Sequence, residues 1–171
     1  GFITYGGMAG RDMAALAQGL DEATEFDYLK SRITQIELLG NQLIEFGIPI
    51  QKPIGGHAIF VDALKFLPNI RREEFPAQTL AIELYKEAGI RGVEIGTILA
   101  DRDPETRENR FPKLELLRLA IPRRTYTDNH INYIAVALIN VFDRRAEIKK
   151  GYHITWESEI LRHFTVQLEE I

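Results

Sequence analysis

The spacing of hydrophobic residues changes along the chain, from a helical period at the start to strand-like alternation further on. Apolar residues at helical spacing in residues 13–20 and 26–46 predict two amphipathic helices. Gly47 follows the second stripe at the position of a helix C-cap. Residues 48–51 and 57–61 are short apolar runs separated by a Pro- and Gly-containing turn, which predicts two strands.

The second half of the chain interleaves helices with strands. Pro76 opens a helical pattern that ends at Gly89, and Thr127 is placed to cap another helix. Strand patterns cover residues 92–98, 114–121, 152–156 and 164–168. The short connections and the lack of an internal repeat predict an α+β fold. Its sheet is expected to be mixed or antiparallel, with helices on one side.

Arg118 lies in the middle of the apolar run at residues 114–121. Side chains alternate along a strand, so Leu116 and Arg118 share one face while Leu117 and Leu119 share the other. Apolar residues on both faces predict a strand that is buried on both sides. A guanidinium in that setting costs several kcal/mol unless an anion pairs with it.

The sequence pattern does not determine which anion pairs with Arg118. A guanidinium can donate two parallel hydrogen bonds to a carboxylate or to a phosphate. One hypothesis is a bound ligand, and the other is an internal ion pair with Glu94 or Glu115.

Composition excludes several classes of protein. At 171 residues, with 45% hydrophobic and 27% charged residues, the chain is typical of a globular protein with one core. A net charge of -4 argues against nucleic acid as a partner. The chain has no cysteine, no zinc-type histidine spacing and no serine nucleophile elbow. No apolar stretch reaches the roughly 20 residues that a membrane helix needs, so we expect no membrane partner and a cytoplasmic protein.

Five segments together resemble the C-terminal part of the β-eliminating lyases, the tryptophanase and tyrosine phenol-lyase family of pyridoxal-phosphate enzymes. They occur in the family's order and extend over essentially the whole chain. The segments are TYGGMAGRDM (residues 4–13), GGHAIFVDA (55–63), FPAQ (75–78), LLRLAIPR (116–123) and LRHFT (161–165).

The resemblance implies the small C-terminal domain of an aminotransferase-like enzyme. Residues 1–40 would be the end of the large domain with its connecting helix, and residues 41–171 the small domain. Full-length members of the family form homotetramers, which implies the same assembly here.

The resemblance also implies roles for individual residues. Arg118 matches the arginine that binds the α-carboxylate of the amino-acid substrate. Ile95 occupies a position where tyrosine phenol-lyases carry arginine and tryptophanases isoleucine, and an apolar side chain there suits an indole ring. His163 is the histidine typical of tryptophanases, expected to help orient and protonate the indole. Phe164 would pack on the substrate side chain, and Phe2 matches a position near its ring.

Family members bind pyridoxal phosphate through a lysine that precedes the matched region, and none of the lysines in this chain lies in that motif. No cofactor-binding residue or metal ligand is therefore assigned in this chain, although a potassium ion is expected in the family. The chain also lacks an initiator Met. It is expected to be a fragment that is inactive alone.

The implied activity of the complete protein is the α,β-elimination of L-tryptophan to indole, pyruvate and ammonia. Three alternatives stay open: a tyrosine phenol-lyase, a relative of the cysteine-desulfhydrase type, and a non-catalytic truncated fragment.

Overall fold

The computed structural model describes residues 6–171 of the chain. These residues form seven α-helices, five β-strands and two short 3₁₀ turns, Arg72–Glu74 and Arg145–Glu147. The helices are α1 (Gly10–Glu22), α2 (Phe26–Glu45), α3 (Ala63–Phe66), α4 (Pro76–Ala88), α5 (Thr97–Ala100), α6 (Asp128–Asp143) and α7 (Arg162–Thr165). The strands are β1 (Ala58–Asp62), β2 (Val93–Ile95), β3 (Leu116–Ala120), β4 (Tyr152–Trp156) and β5 (Gln167–Glu170).

The strands form two antiparallel sheets. The larger has the order β1-β3-β2, so β3 is its central strand, and β4 pairs with β5 in a separate two-stranded sheet. On β3, Arg118 lies opposite Phe60 of β1 and Val93 of β2. The α+β class and the antiparallel order are confirmed, and Arg118 does lie in an interior strand.

Helices cover one face of the larger sheet. Ile59, Val61, Leu117 and Leu119 point to this face and are at most 3% exposed. Contacts with the sheet come chiefly from α4 and also from α2, α3 and α5, and α6 packs on α2 and α4. Burying these aliphatic side chains is the main stabilising contribution, about 1.5–3 kcal/mol for each one that is fully buried.

The helix ends follow the sequence signals. Gly47 and Gly89 adopt φ of +74° and +67° just after α2 and α4, a left-handed conformation that glycine takes without strain. At the start of α6, the side chains of Thr127 and His130 form a reciprocal capping box with the backbone.

Two strand predictions were too long. Residues 48–51 form only an isolated bridge between Ile50 and Val61, because Pro49 and Pro53 lack the N–H groups that would extend the ladder. Residues 92–98 form β2 over three residues only, and the chain then turns into α5.

The prediction of a strand at residues 164–168 was wrong at its start. Leu161 has φ of +56°, and the chain then makes one helical turn, α7, before β5 begins at Gln167. His163 and Phe164 therefore belong to a helical turn.

The N-terminal helices differ in burial. No residue of α1 is buried, whereas Ile36, Leu39 and Leu43 of α2 are completely inaccessible. Helix α2 runs through residue 40, so the predicted boundary at 40/41 falls inside a helix of this core. Among residues 6–171, no helix combines the length and hydrophobicity that spanning a bilayer requires.

Candidate functional site

Arg118 lies on the face of the larger sheet that the helices leave open. Residues directly opposite each other in an antiparallel pair share a face, so Phe60, Val93 and Arg118 lie together, with Leu116 and Ile95 on the same side. We call these five residues the Arg118 face. Phe60, Ile95 and Arg118 are partly buried, and Val93 is 47% exposed. On this face Leu116 is buried, Arg118 is partly buried and Ala120 is exposed, so the expectation that β3 is buried on both sides was wrong at its C-terminal end.

The guanidinium of Arg118 is incompletely partnered. Its Nε atom is buried and has no hydrogen-bond partner among residues 6–171. A buried donor without an acceptor costs about 1–3 kcal/mol, and more when it is charged. An incoming carboxylate would remove that cost, since it can accept from the guanidinium along two parallel directions.

The two proposed internal partners of Arg118 are engaged elsewhere. Glu94 Oε1 and Oε2 accept the backbone N–H groups of Ile98 (3.0 Å) and Leu99 (2.9 Å). Glu115 Oε1 accepts the N–H of Thr97 at 3.0 Å, and also its hydroxyl. These carboxylates satisfy the amides at the start of α5, and neither forms an ion pair with Arg118.

Glu94 and Glu115 lie on either side of Gly96 and are 7% and 0% exposed. A Cβ atom at Gly96 would collide with both carboxylates, so only glycine allows this approach. Burial raises the pKa of Glu94. Burial and the charge of Glu94 raise the pKa of Glu115 to about 7, against hydrogen bonds from Thr97 that lower it.

His163 and Phe164 lie at the edge of the sheet. Their rings are 4.0 Å apart between centroids, and Phe164 is 76% exposed. They line a cleft of about 460 Å³ together with residues of α4, β2 and α5. The other lining residues are Gln78, Ala81, Ile82, Tyr85, Arg91, Gly92, Val93, Glu94 and Ile98.

The four predicted site residues thus form two pairs. Arg118 and Ile95 share the open face of the sheet, while His163 and Phe164 line the cleft that neither Arg118 nor Ile95 lines. Val93 belongs to both places, so the two pairs are neighbours across the edge strand β2. Phe2 lies outside the described residues.

No lysine in the described part of the chain is arranged to bind a cofactor covalently. All seven lysines of the sequence are exposed. Lys86 donates to Tyr152 and Glu83, both at 3.0 Å, and these hydrogen bonds raise its pKa. A nucleophilic lysine needs the opposite shift, which burial in an apolar pocket would produce.

Arg162 is a buried residue to which the sequence pattern gave no role. It is 1% exposed and donates to the carbonyls of Thr97 (2.7 Å) and Ile98 (3.0 Å). The same guanidinium donates to Asn109 (2.8 Å) and Glu157 (3.2 Å). Periodicity could not identify it, since α7 has only four residues.

The sequence of this chain matches one protein family and several of its members. Residues 9–137 match the family model described as Beta-eliminating lyase. Over all 171 residues the chain is 70% identical to a probable beta-eliminating lyase of Trichomonas vaginalis and 50% identical to a tyrosine phenol-lyase of Symbiobacterium thermophilum. It is 49% identical over 169 residues to a tyrosine phenol-lyase of Nostoc punctiforme. The chain spans 36–37% of the length of these three relatives.

Proposed function

This chain belongs to the β-eliminating lyase family, and we propose on that premise that it is the C-terminal, substrate-binding part of a pyridoxal-phosphate enzyme. The reaction of the complete enzyme is the α,β-elimination of L-tryptophan to indole, pyruvate and ammonia. The observation that carries the proposal is the buried Nε of Arg118, which has no partner among residues 6–171 and faces the open side of the sheet.

Arg118 binds the α-carboxylate of the amino acid. Its directly opposite neighbours Phe60 and Val93 are apolar, so the substrate carboxylate is held in partly desolvated surroundings where a charged hydrogen bond is strong. An interior strand fixes the guanidinium, because β3 pairs on both sides. The amino acid is therefore oriented by its carboxylate, with its side chain free to extend across the face.

Ile95 gives the preference for an indole ring. It lies on the same face as Arg118 and offers no hydrogen-bond donor or acceptor. A phenol hydroxyl left unpaired beside it costs about 1–3 kcal/mol, whereas an indole ring loses little there. His163 and Phe164 approach from the neighbouring cleft, where His163 can orient the leaving group and Phe164 can cover it.

Tyrosine phenol-lyase is the second candidate, favoured by the names of the Symbiobacterium and Nostoc relatives. The two candidates differ in the product released. Purified complete enzyme supplied with tryptophan or tyrosine in parallel should release indole faster than phenol. A faster release of phenol would replace the first candidate by the second.

The cofactor lysine lies outside this chain in the proposed enzyme. The exposure of all seven lysines supports this, as does the raised pKa of Lys86. When bound, pyridoxal phosphate supplies the electron withdrawal that makes the α-proton acidic. The 171-residue chain alone is then inactive, and a potassium ion stays a prediction from the family resemblance.

The complete enzyme is proposed to be a homotetramer. Met13, Leu16 and Leu20 of α1 are each more than half exposed, which leaves an apolar stripe uncovered by residues 6–171. Such a stripe supports packing of α1 against the rest of the protein or against another copy.

Replacement of Arg118 by alanine in the complete enzyme tests the proposal. Loss of a hydrogen-bonded charge should raise KM about 10- to 100-fold for every amino-acid substrate, measured by steady-state release of pyruvate. Arg124→Ala is the matched control, since Arg124 is exposed and its contacts with Glu22 (3.3 Å) and the Tyr28 ring lie at the surface. An unchanged KM in Arg118→Ala would make Arg118 a structural residue.

A further inference from the structure

Every nitrogen of the Arg162 guanidinium has an acceptor. Nε donates to the carbonyl of Ile98, Nη2 to that of Thr97, and Nη1 to Asn109 and Glu157. Nε also lies 3.4 Å from a carboxylate oxygen of Asp101. Each of its three nitrogens thus has a hydrogen-bond partner, and its charge is balanced by two acidic side chains.

Two of the acceptors of Arg162 belong to α5, which also forms hydrogen bonds with two buried carboxylates. The Thr97 and Ile98 carbonyls belong to α5, whose N–H groups are bonded by the carboxylates of Glu94 and Glu115. A helix of four residues has almost no intrahelical hydrogen bonds of its own. Its position therefore depends on these side chains, with carboxylates on the amides and Arg162 on the carbonyls.

Arg162 also stands between the two pairs of candidate site residues. Directly after it in α7 come His163 and Phe164, and α5, which it holds, begins two residues after Ile95. The α5 and α7 backbones are in contact. A shift of the guanidinium would thus move the residues proposed to contact the substrate ring, which are Ile95 in one pair and His163 and Phe164 in the other.

We propose that Arg162 is a positioning residue that holds α7, with His163 and Phe164, against α5 and beside β2, and so sets the geometry of the part of the substrate site that contacts the indole ring. This rests on the proposed function. Arg118 lies on the central strand, and its Nε has no hydrogen-bond partner among residues 6–171. Arg162 would therefore position the residues around the ring, while Arg118 would bind the carboxylate.

The carboxylate of Glu157 stays ionised at neutral pH, so its ion pair with Arg162 is kept. Burial alone would raise its pKa, but hydrogen bonds from Arg102 and Arg162 lower it. Glu157 also pairs with Arg102. The pair with Arg162 therefore stays intact over the pH range in which the enzyme would be assayed.

Arg162→Lys in the complete enzyme is the test, because lysine keeps the charge but has one nitrogen and cannot reproduce the fork that spans Thr97, Ile98 and Asn109. Arg144→Lys is the matched control, since Arg144 pairs with Glu83 (2.9 Å) and Glu87 (3.4 Å) away from the cleft. Both variants are assayed with tryptophan and with β-chloroalanine, which loses chloride from the same carbon and carries no ring.

Arg162→Lys should lower kcat/KM for tryptophan by about 10- to 100-fold through misplacement of the ring-side residues. Its kcat/KM for β-chloroalanine should stay within about twofold of wild type, because that substrate makes no ring contacts. Arg144→Lys should leave both values unchanged. Equal losses for the two substrates, or no loss for either, would overturn the positioning role.

Hydrogen exchange in the 171-residue chain gives a second measurement that needs no activity. Arg162→Lys should speed exchange of the amides at residues 97–100 and 164–166 while leaving those of β3 unchanged. Faster exchange throughout the chain, or an unchanged exchange rate in these two segments, would contradict local positioning. If wild-type complete enzyme releases pyruvate from neither substrate, the proposed function itself fails, and the enzymatic part of this inference fails with it.

Discussion

Arg118 is a partly buried arginine and Arg162 a fully buried one, and their surroundings are opposite. Arg162 is 1% exposed and all its nitrogens donate to carbonyls, an amide or a carboxylate. Arg118 is only partly buried, yet its Nε has no acceptor among residues 6–171. Burial alone therefore does not distinguish a structural arginine from a binding arginine.

The distinction lies in hydrogen-bond completeness. A buried charged group is tolerated when its polar atoms find partners, and each of the three nitrogens of the Arg162 guanidinium does so within its own chain. An incomplete set is a cost of folding that a ligand can remove, and this makes Arg118 the better candidate for binding. This difference has measurable consequences for stability and for activity.

The largest expected effect is on the stability of Arg162→Met. Removing the guanidinium leaves two carbonyls of α5 without their side-chain partner and takes one cation away from Asp101 and from Glu157, which keeps only Arg102. Breaking a buried pair in this way costs about 3–5 kcal/mol. Urea unfolding of the 171-residue chain, followed by circular dichroism, measures the change.

Arg118→Met is the matched variant of similar length and should behave differently. No hydrogen bond to Nε is lost, and the cost of its desolvation is removed, so the free energy of unfolding should stay within about 1 kcal/mol of wild type or rise. A loss as large as that of Arg162→Met would contradict the comparison between the two arginines.

A second prediction concerns the buried acid Glu115, whose pKa is raised from 4.5 to about 7 by burial and by Glu94. The folded state then holds this proton more tightly than the unfolded state. Its contribution to stability is complete below pH 4.5 and is lost as the pH rises through 7, a decrease of about 2–3 kcal/mol.

Unfolding titrations of wild type and Glu115→Gln between pH 5 and 8 measure this loss, because glutamine keeps an acceptor for Thr97 but does not titrate. As the pH rises, the free energy of unfolding of wild type should fall relative to that of Glu115→Gln. Glu37→Gln, at an exposed position of α2, is the control and should follow wild type. A pH-independent difference at Glu115 would contradict the raised pKa.

The smallest expected effect is on activity, in His163→Phe of the complete enzyme. His163 follows the structural Arg162 directly, so this variant tests whether a side chain held in place by that arginine takes part in the reaction. Indole release from tryptophan should fall about tenfold, equal to about 1.4 kcal/mol of barrier. Unchanged tryptophan turnover would remove His163 from the site.

The parts of the fold that could be predicted are those with local signals. Glycines after α2 and α4, and the Thr127 cap of α6, mark helix ends because their conformations and hydrogen bonds are local. The ends of β2 and the helical turn α7 were missed. The turn after β2 is stabilised by Glu94 and Glu115, and the latter lies about 20 residues further along the chain, beyond the reach of local periodicity.

The sequence by itself determined the α+β class, the interior strand with Arg118 and the family of the chain, because apolar spacing and ordered motifs are properties of the chain alone. Only the tertiary structure decided which face of that strand is open, because this depends on where α2 and α4 pack. It also decided which arginine has hydrogen-bond partners, since the acceptors of Arg162 come from three separate segments of the chain. Hydrogen-bond completeness at a buried charge is set by such distant groups, and no pattern of neighbouring residues records it.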